Sequence, residues 1–522
     1  MQRMIDEIEQ NRIALQADLD AKKTQAERNR LGQFATPAML AVEILEYACR
    51  LIPSNEKVSF LDPAIGTGSF YSALLKIFPE DRIEKAIGFE IDPHYGEPSM
   101  HLWKDTNLTF RLADFTREEP SDRFNLVICN PPYVRHHHLQ NDNKFRLQAR
   151  TNTASGMKLS GLAGLYCHIL GLAHAWLADG GVAGWLIPSE FMDVNYGLAV
   201  KRYLLDRVTL LRIHRFDPND VQFADALVSS AVVWFRNTPP PVDHKVLFTL
   251  GGTLLEPVTT RSISSGDLAI EPKWTRFPAA DVRPWATTPK LSDFFQIKRG
   301  IATGDNKFFI LPEEDAKAQG LPQEFLRPIL PSPRYLIEEE VKADKDGNPI
   351  VGRRLFLLDT HMREDEIKVL FPKLWAYLEK GKEQGIHDGY ICRHRSPWYS
   401  QENRPPASIV CTYIGRDNAK RGRPFRFILN ESRATVANVY LAMYPTPLLA
   451  RAIKNDKTLI RRVWHVLNKI GTSQLLSEGR VYGGGMFKLE PKELANVDAT
   501  VIAELIPDLQ LKGKAEQLEM FG

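Results

Sequence analysis

Cysteine is scarce in this chain: five in 522 residues, at positions 49, 129, 167, 392 and 411, with no Cys-x-x-Cys pair. That scarcity excludes a disulfide framework and a thiolate zinc knuckle, and it fits a reducing cytoplasm. Nowhere does an apolar run approach the length of a membrane span. The first 30 residues carry acids as well as bases, unlike a secretory or transit leader. Internal repeats and low-complexity tracts are missing too, which sets aside solenoids and compositionally biased tails. What is present is ordinary globular material, 43% hydrophobic and 25% charged, long enough for two or three domains.

The net charge of +3 is unevenly spread, since residues 391–480 hold 16 Lys/Arg against 5 Asp/Glu. A clustered basic field of this kind suits a polyanion. Residues 1–30 read as a helix, with Ile5, Ile8, Leu15 and Leu19 at near-helical spacing among charges. From 58 to 236 strands and helices alternate. Strands are expected at 58–61, 86–89, 108–112, 126–129, 182–187, 208–214 and 227–235, and helices at 68–78 and 163–178. Such near-continuous apolar strands indicate an α/β, doubly wound Rossmann-like parallel sheet covered on both faces. The Pro-rich stretch 238–242 marks a boundary, and the rest lacks a βα rhythm, as in an α+β domain. The expected division is a helix over 1–30, a first domain over 31–240, a connector over 241–290 and a second domain over 291–522.

Three acids stand at the ends of the first three expected strands. Asp62 precedes a turn holding Ala64, Gly66 and Gly68, Glu90 follows Gly68 by 22 residues, and Asp114 follows the third strand. The glycines let a ligand approach the backbone, and Glu90 stands at the distance from which an acid meets ribose hydroxyls. Asp114 suits an exocyclic adenine amine. An acid-rich edge disfavours pyrophosphate and suits S-adenosylmethionine, which carries an ammonium and no phosphate. After the fourth strand comes Asn130-Pro131-Pro132-Tyr133. The prolines remove two backbone donors, so the Asn130 side-chain oxygen and the Pro131 carbonyl can both accept from an amino group. Holding both hydrogens draws that nitrogen toward tetrahedral geometry and frees its lone pair. The Tyr133 ring offers a stacking face for a base, worth about 1–3 kcal/mol.

These segments resemble the amino-methyltransferases. Asn130–Tyr133 is similar to their motif IV, Asp62–Phe70 to motif I, and Gln33-Phe34-Ala35-Thr36-Pro37 to motif X. The order X, I, IV and a C-terminal recognition region resembles the gamma (Taq-type) class of DNA adenine-N6 methyltransferases of restriction-modification systems. The resemblance implies that Thr36, Asp62, Ala64, Gly66, Gly68, Glu90, Asp114 and Pro132 hold S-adenosylmethionine and that no metal is required. It places Phe223 on the far side of an adenine rotated out of duplex DNA onto Tyr133. It also makes 291–522 a target-recognition domain. Its basic candidates are Lys298 and Arg299, in a segment similar to the family's recognition region, with Arg393, Arg395, Lys420, Arg421 and Arg423 among aromatics.

The expected function is therefore adenine-N6 methylation of double-stranded DNA by a cytoplasmic monomer, alongside a cognate restriction endonuclease. An amino-methyltransferase acting on RNA or on protein glutamine is the alternative. Glu366-Ile367-Lys368 has the form of a nuclease motif, without the Pro-Asp that should precede it. Three consecutive histidines, His136 to His138, suit a polar loop at phosphates or the base better than one metal geometry.

Overall fold

A computed structural model describes residues 2–136, 139, 141–217, 229–278, 288–416, 423–482 and 486–506. The chain divides near residue 283 into two compact units.

The first unit is built on nine strands: β1 Val58–Asp62, β2 Ile83–Glu90, β3 Leu108–Leu112, β4 Phe124–Cys129, β5 Leu177–Pro188, β6 Thr209–Arg215, β7 Ser230–Arg236, β8 Lys245–Gly252 and β9 Pro257–Ser264. Their order across the sheet is β3-β2-β1-β4-β5-β7-β6-β8-β9. Its α-helices are α1 Gln2–Ala21, α2 Gln25–Leu31, α3 Ala38–Leu51, α4 Ser69–Ile77, α5 Pro93–Trp103, α6 Asn141–Ser155, α7 Leu165–Ala173, α8 Leu198–Asp206 and, after β9, α9 Ser265–Ile270. Alternation along each buried strand sends side chains to two cores. Phe60, Leu126, Ile128 and Leu186 meet Leu40 and Ile44 of α3 and Leu74 of α4. Leu61, Val127, Trp185 and Ile187 meet Cys167 and Leu170 of α7 and Leu204 of α8. The sheet is thus covered on both faces, as the continuous apolar strands require.

Four expectations are corrected here. The sheet is not parallel throughout: β7 runs antiparallel between β5 and β6. An antiparallel pair, unlike a parallel one, needs no crossover helix between its two strands, so β7 can follow β6 directly in the sheet. The helix expected to Ala178 ends at Ala173, and β5 begins at Leu177 and carries Asp179 to Gly181 as an irregularity in its pairing with β4. The region expected to be one helix over 1–30 is two, broken at Lys22–Thr24, where Thr24 and Glu27 form a capping box for α2. Most consequentially, the connector expected over 241–290 supplies β8, parallel to β6, and β9, antiparallel to β8.

The second unit mixes helices with short strands, an α+β arrangement. Residues 295–299, 440–445, 409–412, 427–430 and 340–341 make a five-stranded sheet in that order, and 310–312, 355–358 and 326–329 make a separate antiparallel one. Leu291, Phe427, Leu441 and Val463 lie in one of its cores and Phe309, Leu357 and Leu374 in another.

Candidate active site

The first three strand tips lie side by side at one end of the sheet, because β1, β2 and β3 are neighbours in parallel register. After β1 the chain turns through Gly66 (φ +56°) and Gly68 (φ +91°) into α4. A Cβ built on Gly66 would meet nothing, so its backbone is bare on that side. One on Gly68 would collide with the Trp103 indole, whose Nε1 donates to the Thr67 carbonyl at 2.9 Å. Gly68 is therefore a packing glycine.

Asp62 is 1% exposed, and its Oδ1 accepts the Ala64 N–H at 3.0 Å. Burial, with Glu90 nearby, pushes its carboxyl up to about 8. Glu90 accepts N–H groups from Gly66 (3.2 Å) and Asp92 (2.7 Å), and burial raises it as well. Asp114 accepts from the Thr116 N–H (2.9 Å) and hydroxyl (2.7 Å) and pairs with Arg117 at 3.2 Å.

A cavity of about 590 Å3 lies over these tips, inside the range of roughly 300–1,000 Å3 common to small-molecule sites. Of the residues expected to hold a ligand, Ala64, Gly66, Glu90, Asp114 and Pro132 line it, together with Asn130. Asp62 lies beneath the turn and Thr36 behind Asn130. Among the lining residues that sequence reasoning missed are Gln16 and Asp20 from α1, Gln33, and Asp92. Burial would raise Asp92, but Lys23 and Gln33 (2.7 Å) donate to it and hold it below the ordinary carboxylate range. The helix α1 packs on α4 and α5. Its buried Arg12 forks onto Glu9 (2.7 and 2.8 Å) and donates to Thr67 Oγ1 (3.2 Å) and Ser69 Oγ (2.9 Å) of the glycine turn.

The tetrad follows β4 directly. Asn130 Nδ2 donates to the Phe34 carbonyl (3.0 Å) and to Thr36 Oγ1 (3.1 Å). A carbonyl can only accept, so the Phe34 contact fixes which end of the amide is nitrogen. That leaves Asn130 Oδ1 buried with no hydrogen-bond partner among the described residues. The Tyr133 N–H donates to the Gly32 carbonyl at 3.1 Å, and Gly32 (φ +65°) sits so close that a Cβ would lie 2.4 Å from Tyr133 N. The segment 32–36 is thus laid backbone to backbone on the tetrad. The Tyr133 ring is 8% exposed, lies 5.6 Å from the Phe34 ring, and its hydroxyl donates to the Leu186 carbonyl at 3.1 Å. Phe223, His137 and His138 lie outside the described residues.

In the second unit Lys298 and Arg393 are exposed. Arg299 lies 4.2 Å over the Tyr413 ring and donates to the Asn438 carbonyl. Arg395 donates to the carbonyls of Ala302 (2.6 Å) and Thr303 (3.0 Å), bracing the 300–304 loop. Arg423 donates to the Asn468 carbonyl at 2.6 Å and faces Glu339. Lys420 and Arg421 lie outside the described residues. Glu366 caps the helix Glu364–Leu370, the ordinary work of an acid in a first turn.

Comparison with known proteins resolves the family. Residues 72–222 match the Eco57I restriction-modification methylase family and residues 279–519 the C-terminal domain of the type II methyltransferase M.Eco57I. The type II methyltransferase M.XamI of Xanthomonas campestris pv. amaranthicola is 30% identical over 476 residues, covering 89% of this chain and 84% of that one. The chain belongs to the type II restriction-modification methyltransferases. A second such methyltransferase, M.AccI of Acinetobacter calcoaceticus, is 26% identical over 508 residues, covering 92% and 87% of the two chains. The type IIL restriction-modification enzyme MmeI, solved in complex with DNA, shares the fold at a TM-score of 0.52 and 12% identity, over 94% of this methyltransferase and 67% of that chain. Among the described residues, no helix of this methyltransferase is long and apolar enough to cross a membrane.

Proposed function

We propose that the chain methylates the N6 amino group of an adenine rotated out of duplex DNA, using S-adenosylmethionine. The observation that carries this reading is the Asn130 amide. Its nitrogen is anchored twice, and its oxygen is a buried acceptor without a partner among the described residues. Leaving such an acceptor unsatisfied costs about 1–3 kcal/mol, which an incoming amino N–H removes. The Pro131 carbonyl next to it is suited to accept the second amino hydrogen. With both hydrogens held, the nitrogen lone pair is turned away from the base ring and toward the cavity that Asn130 and Pro132 share with Glu90 and Asp114. Positioning of this kind supplies the rate without a covalent enzyme intermediate.

The cavity's donor set fits the cofactor. Among the described residues, Asp20, Glu90, Asp92 and Asp114 line it and no Lys, Arg or His does, so a cation with ribose hydroxyls is favoured and a pyrophosphate is not. Glu90 would hold the ribose and Asp114 the adenine amine. When bound, S-adenosylmethionine supplies an electrophilic methyl group. A duplex base cannot reach that cavity, so the target must leave the stack, with the Tyr133 ring as its platform and Phe223 as the proposed opposite face. We assign duplex contacts to the second unit, with Lys298 and Arg393 exposed for phosphates, and a cognate nuclease as the system's other member.

Incubation with tritiated S-adenosylmethionine and duplex DNA, RNA or protein tests the substrate class. Nucleoside mass spectrometry then tests the atom: N6-methyladenine is expected, and N4-methylcytosine overturns the assignment to adenine. Asn130→Ala should lose transfer while keeping cofactor affinity.

A further inference from the structure

The cofactor cavity has a wall that no motif supplies. The helix α1 contributes Gln16 and Asp20 to its lining, far in sequence from the turn after β1 and the tips of β2 and β3. Three sets of contacts hold α1 in place. Arg12 reaches Thr67 and Ser69, Thr67 Oγ1 donates to Gln16 Oε1 at 2.7 Å, and His94 Nε2 meets the Leu19 carbonyl at 2.9 Å. Lys23, just past the helix, pairs with Asp92. Within this frame Asp20 is oriented as well. Its Oδ1 accepts from Gln16 Nε2 (3.0 Å) and from the Tyr95 hydroxyl (2.8 Å). Its Oδ2 has Arg28 at 3.8 Å, beyond hydrogen-bond reach, and so keeps its capacity to accept.

We propose that α1 is part of the cofactor site and that Asp20 makes the cavity prefer the cationic sulfonium ligand over its neutral thioether product. The inference rests on the S-adenosylmethionine reading above. S-adenosylmethionine carries one more positive charge than S-adenosylhomocysteine, and the two are otherwise nearly the same shape. A carboxylate fixed in the wall therefore discriminates by charge alone. The last turn of a helix adds partial negative charge in the same sense. Product release follows from the same arrangement, because loss of the methyl group removes the charge that Asp20 attracts.

The test is equilibrium binding of both ligands, by calorimetry on the full chain without DNA, for the parent, Asp20→Asn, Asp20→Glu and Tyr95→Phe. Asp20→Asn should weaken S-adenosylmethionine about tenfold, the order expected for losing one attractive unit charge in a partly solvated wall. S-adenosylhomocysteine should change less than about twofold on the same electrostatic argument. Asp20→Glu and Tyr95→Phe keep the charge and should keep the parent's ratio. Equal weakening of both ligands in Asp20→Asn, or of neither, overturns the proposal and leaves α1 as a strut. Should Asp20→Asn not fold, Asp20→Ser is read in the same way. A parent that binds neither ligand refutes the cofactor assignment itself, a different result from binding both with an unmoved ratio.

Discussion

Replacing Asn130 by Asp separates the two ends of the amide. The substitution retains an oxygen where the unpartnered acceptor stands, so a role limited to accepting an N–H would survive it. The other end is the difficulty. An ionised carboxylate would set an oxygen against the Phe34 carbonyl, where Nδ2 now donates at 3.0 Å. Thr36 can turn its hydroxyl to donate, but the carbonyl cannot. One lost hydrogen bond and one unsatisfied buried carbonyl amount to about 1–3 kcal/mol, or roughly 5- to 150-fold in rate at about 1.4 kcal/mol per decade. A protonated carboxyl is the isostere of the amide, donating O–H to Phe34 and keeping its C=O as acceptor. Burial raises a carboxyl's pKa, so activity of Asn130→Asp should climb as pH falls, opposite in slope to the parent's flat or rising profile. Single-turnover transfer of tritiated methyl to saturating duplex DNA from pH 6 to 8.5 measures this. Thr36→Val, which removes only one of two acceptors, should cost about 1 kcal/mol. If Asn130→Asp runs at the parent's rate with an unchanged pH profile, the Phe34 anchor does not position the amide and the argument from the unpartnered oxygen fails.

Three further outcomes are expected. Tyr133→Phe keeps the ring but strands the Leu186 carbonyl, so it should lose about 1 kcal/mol, or about 2–4 °C of melting temperature, while kcat stays within a few-fold; a large kcat loss with unchanged stability would assign the hydroxyl a chemical role. Gly32→Ala meets both a positive φ and the Tyr133 backbone, so it should destabilise by at least about 2 kcal/mol and lower activity with it; a thermal melt equal to the parent's would contradict the close approach. Asp62, raised to about 8, binds a proton in the ligand-free fold that an ordinary Asp has lost, so fold stability should decline as pH climbs toward 8. A cationic cofactor favours the ionised form. Binding at pH 7 should therefore release up to about one proton, detected by calorimetry in buffers of different ionisation heat, and Asp62→Asn should reduce the release.

The strand tips were legible because parallel buried strands announce themselves as apolar runs, and Asp62, Glu90, Asp114 and Asn130 each stand where a run stops. The α1 wall was not. The spacing of Ile5, Ile8, Leu15 and Leu19 shows that the helix packs, whereas what it packs on depends on Arg12 finding Thr67 and Lys23 finding Asp92, pairings between residues more than 50 apart. A helix is expected to run to Ala178, yet the chain is already in β5 there, and Gly180 uses its positive φ (+74°) inside that strand. In the second unit a run of bases reads as a DNA face, but guanidinium groups also serve backbone carbonyls. Arg395 and Arg423 are engaged in that way, and only geometry separates them from Lys298 and Arg393.

The extension of the first sheet past the Pro-rich stretch bears on how members of this family can be taken apart. Ending the first unit near residue 240 would remove β8 and β9 and turn β6 into an outer strand. Arg212 would lose Thr249 (3.1 Å) and the Leu254 carbonyl (2.6 Å), and His214 would lose Thr249 (2.9 Å), each a buried polar group left bare. Val246 and Phe248 would no longer cover their core, and α3 would lose the tie between Glu43 and the Leu254 N–H. An open, apolar strand edge is a template for pairing with another chain. Chimaeras that exchange recognition halves between relatives must therefore carry residues 245–264 with the catalytic half, and the seam belongs after residue 278, where the sheet and the helix that follows it are complete.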